Sequence, residues 1–319
     1  MRMSMATGWR AIGRAHWKNR TWRALVSRPC RRQIRGMHDV QTQYLPIRRD
    51  AARLVSALLV DESPQPLARI ATPSPCAQLV ARFGPTVPGG VDVHLLGPQR
   101  RVRRKHVGGG HRAILLRLRP GMQPAIAGVA PSESIGSAIA IDDLWGANAA
   151  NRLRAQLAAA MDANAAAALL QAAIVEQASS ARGASPATPR LAFALARLQA
   201  SGVADVARAV GVSERQLRRE FRDLLGLSPK AVARLDRFAR AVRAGQSIAS
   251  PSWAAVAADA GYYDQAHMIA DFKAIAGVTP RALLAELRVA TPIGGSGFSR
   301  PPPDASATLP TPARRTPRR

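Results

Sequence analysis

The chain has 319 residues, 47% of them hydrophobic, with 46 Lys and Arg against 20 Asp and Glu for a net charge of +26. That length holds two ordinary domains, and with no run of about eighteen apolar residues the chain reads as soluble, with no membrane partner. Cys30 and Cys76 are too few for a disulfide framework or a Cys-based zinc site, so a reducing cytoplasm is expected, while the basic excess points to a polyanionic partner.

The charge is uneven. Residues 1–36 hold ten Lys or Arg and no acid, and they lack the apolar segment of a secretory signal. Their Arg richness resembles a mitochondrial presequence, but we read them as a disordered basic extension ahead of Met37. A first domain is expected over 37–177. Within it, CAQLVARF (76–83), VDVHLL (91–96) and AILLRL (113–118) are short, partly alternating segments separated by PTVPGG, GPQ and GGGH. They predict a small antiparallel sheet or barrel. The run RRVRRK (100–105) followed by GGGH (108–111) tempts a phosphate-loop reading. Since no Lys-Ser/Thr follows the glycines and no helix opens there, a hairpin turn beside a charged strand is expected.

Asp142 and Asp143 predict a helix start, the acids acting as a cap rather than as an acid/base pair. Leu153, Leu157 and Met161, then Leu169 and Ile174, predict two helices after the sheet, completing an α+β domain. His38, His94, His106 and His111 lack the spacing of a ligand set, so no metal and no cofactor are expected. No catalytic set can be composed either. ASSARGASPATPR (178–190) reads as a linker, and residues 291–319, rich in Pro and Arg, as a disordered basic tail.

Residues 191–290 repeat internally. VADVARAVGVSERQLRREFRDLLGLSPK (203–230) lies over WAAVAADAGYYDQAHMIADFKAIAGVTPR (253–281): Val206 matches Val256 and Gly211 matches Gly261. After one extra residue, Phe221 matches Phe272 and Pro229 matches Pro280. Each copy reads helix, glycine turn, capped helix. In the first, Leu217, Phe221 and Leu224 form an inner stripe, leaving Arg215, Gln216, Arg218, Arg219 and Arg222 outside. A second helix of this kind enters the major groove, where Arg reads guanine and Gln reads adenine.

Gly261, Tyr262, Asp264, His267, Phe272, Lys273, Gly277, Thr279 and Pro280 complete a pattern that resembles the C-terminal DNA-binding domain of the AraC/XylS family of bacterial transcription regulators. The resemblance covers about a third of the chain. It implies a homeodomain-like, all-α double helix-turn-helix fold, its units joined by one long helix over 229–245, with double-stranded DNA as the partner. Carried over residue by residue, base reading falls on Arg215, Arg218 and Arg219, with Gln216 beside them, in the first recognition helix (213–224). In the second (264–275) it falls on Gln265, Ala266, Ile269 and Ala270. Three of those four are apolar, so the second helix is expected to give mainly backbone and shape contacts. Arg234 and Lys273 are expected at phosphates, Arg222 among the DNA-contacting residues of the first helix, and Asp264 as a helix cap. His267 is expected against the core or near the DNA backbone. More loosely, 37–177 resembles the regulatory domain of some AraC-type proteins, whose arabinose-type members use a cupin barrel to bind a small effector and to form homodimers.

The expected function is therefore sequence-specific transcription regulation without catalysis. Two alternatives remain: a non-specific architectural DNA binder driven by its basic ends, and a DNA-repair enzyme carrying this module. The second needs a reactive cysteine and zinc-binding cysteines, for which Cys30 and Cys76 are too few.

Overall fold

The computed structural model describes residues 41–180, 187–248 and 250–293, all within a compact unit that begins at Asp39. The basic extension 1–36, Cys30, His38 and most of the expected tail lie outside the described residues.

Among the described residues, nine strands form two sheets. The larger is antiparallel, in the order β1 (Gln41–Tyr44), β2 (Val55–Ser63), β7 (His111–Leu118), β4 (Gln78–Phe83), β5 (Val91–Leu96) and β8 (Ala138–Ala140). The smaller pairs β6 (Arg103–Val107) antiparallel to β3 (Leu67–Ala71), and β3 parallel to β9 (Thr291–Ile293). Alternation along the larger sheet explains its two faces. Leu58, Val60, Leu79, Val93 and Leu116 pack against helices, whereas Leu59, Val80 and Leu115 form a separate apolar cluster on the other face. The helices covering the first face are α1 (Gln123–Ala127), α3 (Ile141–Trp145), α4 (Ala147–Ala158) and α5 (Ala163–Ser180), while the short α2 (Pro131–Ser134) packs against the helix over Glu214–Leu225. They contribute Ile126, Ile141, Leu153, Leu157 and Ile174 to the same core.

Four local expectations change. The glycines at 108–110 do not close a hairpin: β6 and β7 belong to different sheets, and the chain crosses between layers there. Asp142 lies in the first turn of α3 but caps nothing; its carboxylate takes two hydrogen bonds of 2.6 Å from Arg154, which lower its pKa. Met161 is 94% exposed, because it lies in the turn between α4 and α5 and not on a helical stripe. Thr291–Ile293, read as the start of a tail, instead extend the smaller sheet.

The rest is helical: α6 (Ala187–Arg197), α7 (Val203–Ala209), α8 (Glu214–Leu225), α9 (Pro229–Ser247), α10 (Trp253–Asp259), α11 (Gln265–Ala276) and α12 (Pro280–Val289). Since α5 runs to Ser180 and α6 begins at Ala187, helix occupies both ends of the expected linker. One core joins this region to the smaller sheet. Leu217, Phe221, Phe238, Phe272 and Leu283 share it with Ile70 and Val102.

Candidate DNA-binding surface

Both repeats fold by the same local rules. Gly211 (φ +71°) turns the chain just after α7, and Gly261 (φ +79°) just after α10, in a left-handed conformation that glycine adopts without Cβ strain. The next residue closes each turn in the same way, Val212 N–H donating to Ala207 O at 3.0 Å and Tyr262 N–H to Ala257 O at 2.9 Å. Each following helix is capped by a side-chain oxygen that takes an otherwise unpaired N–H. Ser213 Oγ accepts from Gln216 N at 3.1 Å, and Asp264 Oδ1 from His267 N at 2.6 Å. Each unit then closes with a left-handed glycine, Gly226 or Gly277, followed by a Ser-Pro or Thr-Pro start to the next helix.

On α8 the apolar positions behave as the spacing predicts. Leu217 and Phe221 are fully buried, while Arg215, Arg218, Arg219 and Arg222 are exposed. Their partners separate them. Arg218 pairs with Glu214 one turn earlier. Gln216 is half-buried, and its Nε2 donates to Glu220 Oε1 at 3.2 Å; Glu220 also takes two hydrogen bonds from Arg190, at 2.7 and 3.0 Å. Arg215, Arg219 and Arg222 pair with no described residue, leaving a cationic face uncommitted within the fold.

The second helix of the second unit differs. On α11, Met268, Phe272 and Ile275 are buried, Ile269 is half-buried, and Gln265, Ala266, His267, Ala270 and Lys273 are exposed. His267 meets Tyr262 edge to face at 5.3 Å. It is an outer residue resting on a buried ring.

Arg234 is committed elsewhere than expected. Its Nε donates to Asp271 Oδ1 at 2.7 Å, tying the middle of α9 to α11, with the Asp271 side chain only 8% exposed. Further along α9, Asp236 is buried beside Arg240 at 3.1 Å; burial raises its pKa, while Arg240, Arg243 and Arg237 act against that rise. The Arg237 guanidinium lies 5.6 Å from the Tyr262 ring centroid, and burial, helped by Asp271, pushes the Tyr262 hydroxyl well above its ordinary pKa. The sequence places Arg234 at a phosphate; in the fold, Arg234 and Arg237 tie α9 to the second unit, while Arg240 pairs with Asp236 of α9 itself. The signal for the Arg234 pairing was Asp271, a lone acid on the inner stripe of α11.

No group of three His, Cys, Asp or Glu among the described residues could hold a metal ion, and no helix among them is long and apolar enough to cross a membrane.

Two successive helix-turn-helix units around one long helix define a DNA-binding class of domain. A family model described as a helix-turn-helix domain matches residues 206–286. The chain is similar to a transcriptional regulator of the AraC-type DNA-binding-domain proteins from Chromobacterium violaceum, at 31% identity over 31% of this chain and 91% of that one, with a TM-score of 0.28. It is also similar to ToxT from Vibrio cholerae O395, at 9% identity over 78% of this chain and 98% of that one (TM-score 0.37). The unsaturated-fatty-acid-bound ToxT of strain SCE256 gives 10% identity over 80% and 98% (TM-score 0.35). No curated protein matches. Through its C-terminal domain the chain belongs to the AraC-type helix-turn-helix family.

Proposed function

We propose that the chain is a bacterial, cytoplasmic, sequence-specific transcription regulator, not an enzyme, in which α8 reads bases and α11 follows the backbone and shape of the DNA. The observation that carries the reading is the exposed, unpaired set Arg215, Arg219 and Arg222 on a capped helix of a doubled helix-turn-helix domain. Arg215 and Arg219 are the base readers, because neither must break an internal pair to reach a base edge. Arg218 can join them by releasing Glu214, an exposed pairing that costs little to break. Gln216 supports the helix through Glu220 rather than reading adenine. Gln265, Ile269, His267 and Lys273 supply the second helix's contacts, with Lys273 and Arg222 at phosphates. The N-terminal domain carries effector response and homodimer formation, and the helices flanking 181–186 pass it on.

Arg219→Ala is expected to weaken binding to a selected site about 5- to 150-fold, the worth of one bidentate base contact, with little change on random duplex. Lys273→Ala is expected to weaken both to a similar degree and to lower the salt dependence by about one counterion. Fluorescence anisotropy on the two duplexes measures this. Equal losses on both duplexes for Arg219→Ala would favour non-specific architectural binding instead.

A further inference from the structure

Between the two sheets lies a cavity of about 600 Å³, ample for one small ligand. The alternation of the strands builds its walls. From the larger sheet, Val80 and Leu115 present an apolar floor. In the smaller sheet, Ile70 faces the helical core, whereas its neighbour Arg69 turns the opposite way and meets Asp61 Oδ1 at 2.5 Å. Strand β6 does the same: Arg103 and Lys105 line the cavity, while Arg104 between them reaches Glu286 of α12.

The charges of the cavity do not balance. Five Lys or Arg side chains line it against two Asp. Both carboxylates are already committed. Asp61 is held by Arg69, and Asp92 by Arg82 and by His94 Nδ1 at 3.0 Å. Arg112 is taken by Glu62. The side chains of Arg103 and Lys105 form no hydrogen bond or ion pair with any described residue, and they lie two residues apart on one strand face, roughly 6.7 Å between Cα atoms. Nε and Nη1 of Arg69, a residue only 1% exposed, also lack hydrogen-bond partners among the described residues. Arg103 and Lys105 are both exposed at the edge of the cavity, where water solvates them and an entering ligand can reach them. Though Lys105 as a whole is exposed, desolvation of its ammonium and the like charge of Arg82 lower its pKa, against the pull of Asp61.

We propose that this cavity binds a small organic dianion, a dicarboxylate or a phosphate monoester, its charge shared by Lys105 and Arg103 and its carbon chain lying on Val80 and Leu115. A monocarboxylate leaves one of the two cations unmatched, and a neutral sugar satisfies neither. The site gives a ligand class to the effector role assigned above. It is tested without DNA, so its failure and the failure of the DNA-binding reading are separate results.

Isothermal titration calorimetry on the full chain with succinate, glycerol 3-phosphate, butyrate and glucose decides it. Succinate or glycerol 3-phosphate binds one to one, butyrate about tenfold more weakly or worse, and glucose not at all. Lys105→Gln and Arg103→Gln each weaken the dianion about tenfold or more, while Lys105→Arg keeps binding within about threefold. Thermal melts of the variants establish that they are folded, as expected for water-accessible strand positions. The proposal fails if neither dianion binds the wild-type chain, if butyrate or glucose binds as tightly, or if Lys105→Gln and Arg103→Gln bind like wild type.

Discussion

Arg234 pairs with a carboxylate that is 8% exposed and is itself 41% exposed, so its removal strands a buried charge rather than baring a phosphate contact. Arg234→Ala is expected to destabilise the chain by about 1–3 kcal/mol, less than for a fully buried pair because water reaches the arginine. The double replacement Arg234→Met with Asp271→Leu should cost less than Arg234→Ala alone, because no lone charge remains. Urea denaturation measures both. Asp92 offers a pH test. Its hydrogen bond with His94, then that with Arg82, holds its pKa at about 2 against burial. A carboxylate depressed in the folded state contributes stability above its ordinary pKa, and that contribution is lost as pH falls from about 4 to about 2. After discounting for partial exposure, Asp92→Asn should remove roughly 1–2 kcal/mol of this acid sensitivity, read from urea midpoints across that range.

At the scale of elements, the glycine that closes α8 does more than its counterpart after α11. Both are left-handed, at φ +68° and +75°. A methyl on Gly277 would meet nothing within 4 Å, whereas one on Gly226 would come within 2.7–2.9 Å of the main chain of Pro131 and Ser132. Gly277→Ala is therefore expected to cost about 1 kcal/mol from backbone strain alone, and Gly226→Ala about 2 kcal/mol or more. Equal costs in thermal melts would show that the α2 contact yields freely.

The helical repeat was legible in sequence because each of its signals is local: glycine turns, caps, Ser-Pro and Thr-Pro starts, and a stripe from Leu217 to Leu224. Strands β4, β5 and β7 were legible for the same reason, since their aliphatic runs end in turn residues. What escaped was set at long range. Nothing near Arg104 names Glu286, 182 residues away, as its partner. Nothing near Gly108 shows that the chain leaves one sheet for another, and Thr291–Ile293 resemble a tail until β3 supplies a ladder. The uncommitted cations of the cavity follow from that layering, not from any motif.

At the scale of the molecule, β6 belongs to two sites at once. Arg103 and Lys105 border the cavity, and Arg104 Nε holds Glu286 at 2.6 Å, with side chains 22% and 10% exposed. A double-mutant cycle on Arg104→Ala and Glu286→Ala in the full chain should return a coupling of about 1–2 kcal/mol by chemical denaturation. Additive single effects would mean that the pair does not fasten β6 to α12.

Just before β6, Val102 N–H donates to Ile275 O at 2.9 Å, and β3 pairs with β9 through main-chain ladders. These attachments belong to the peptide backbone, so exchanging one side chain for another leaves their donors and acceptors in place unless proline enters. The lining of the cavity has no such protection; each residue there can be replaced singly. A lineage could thus change what the cavity admits while inheriting the joint beneath it, as a lock is rekeyed without rehanging the door.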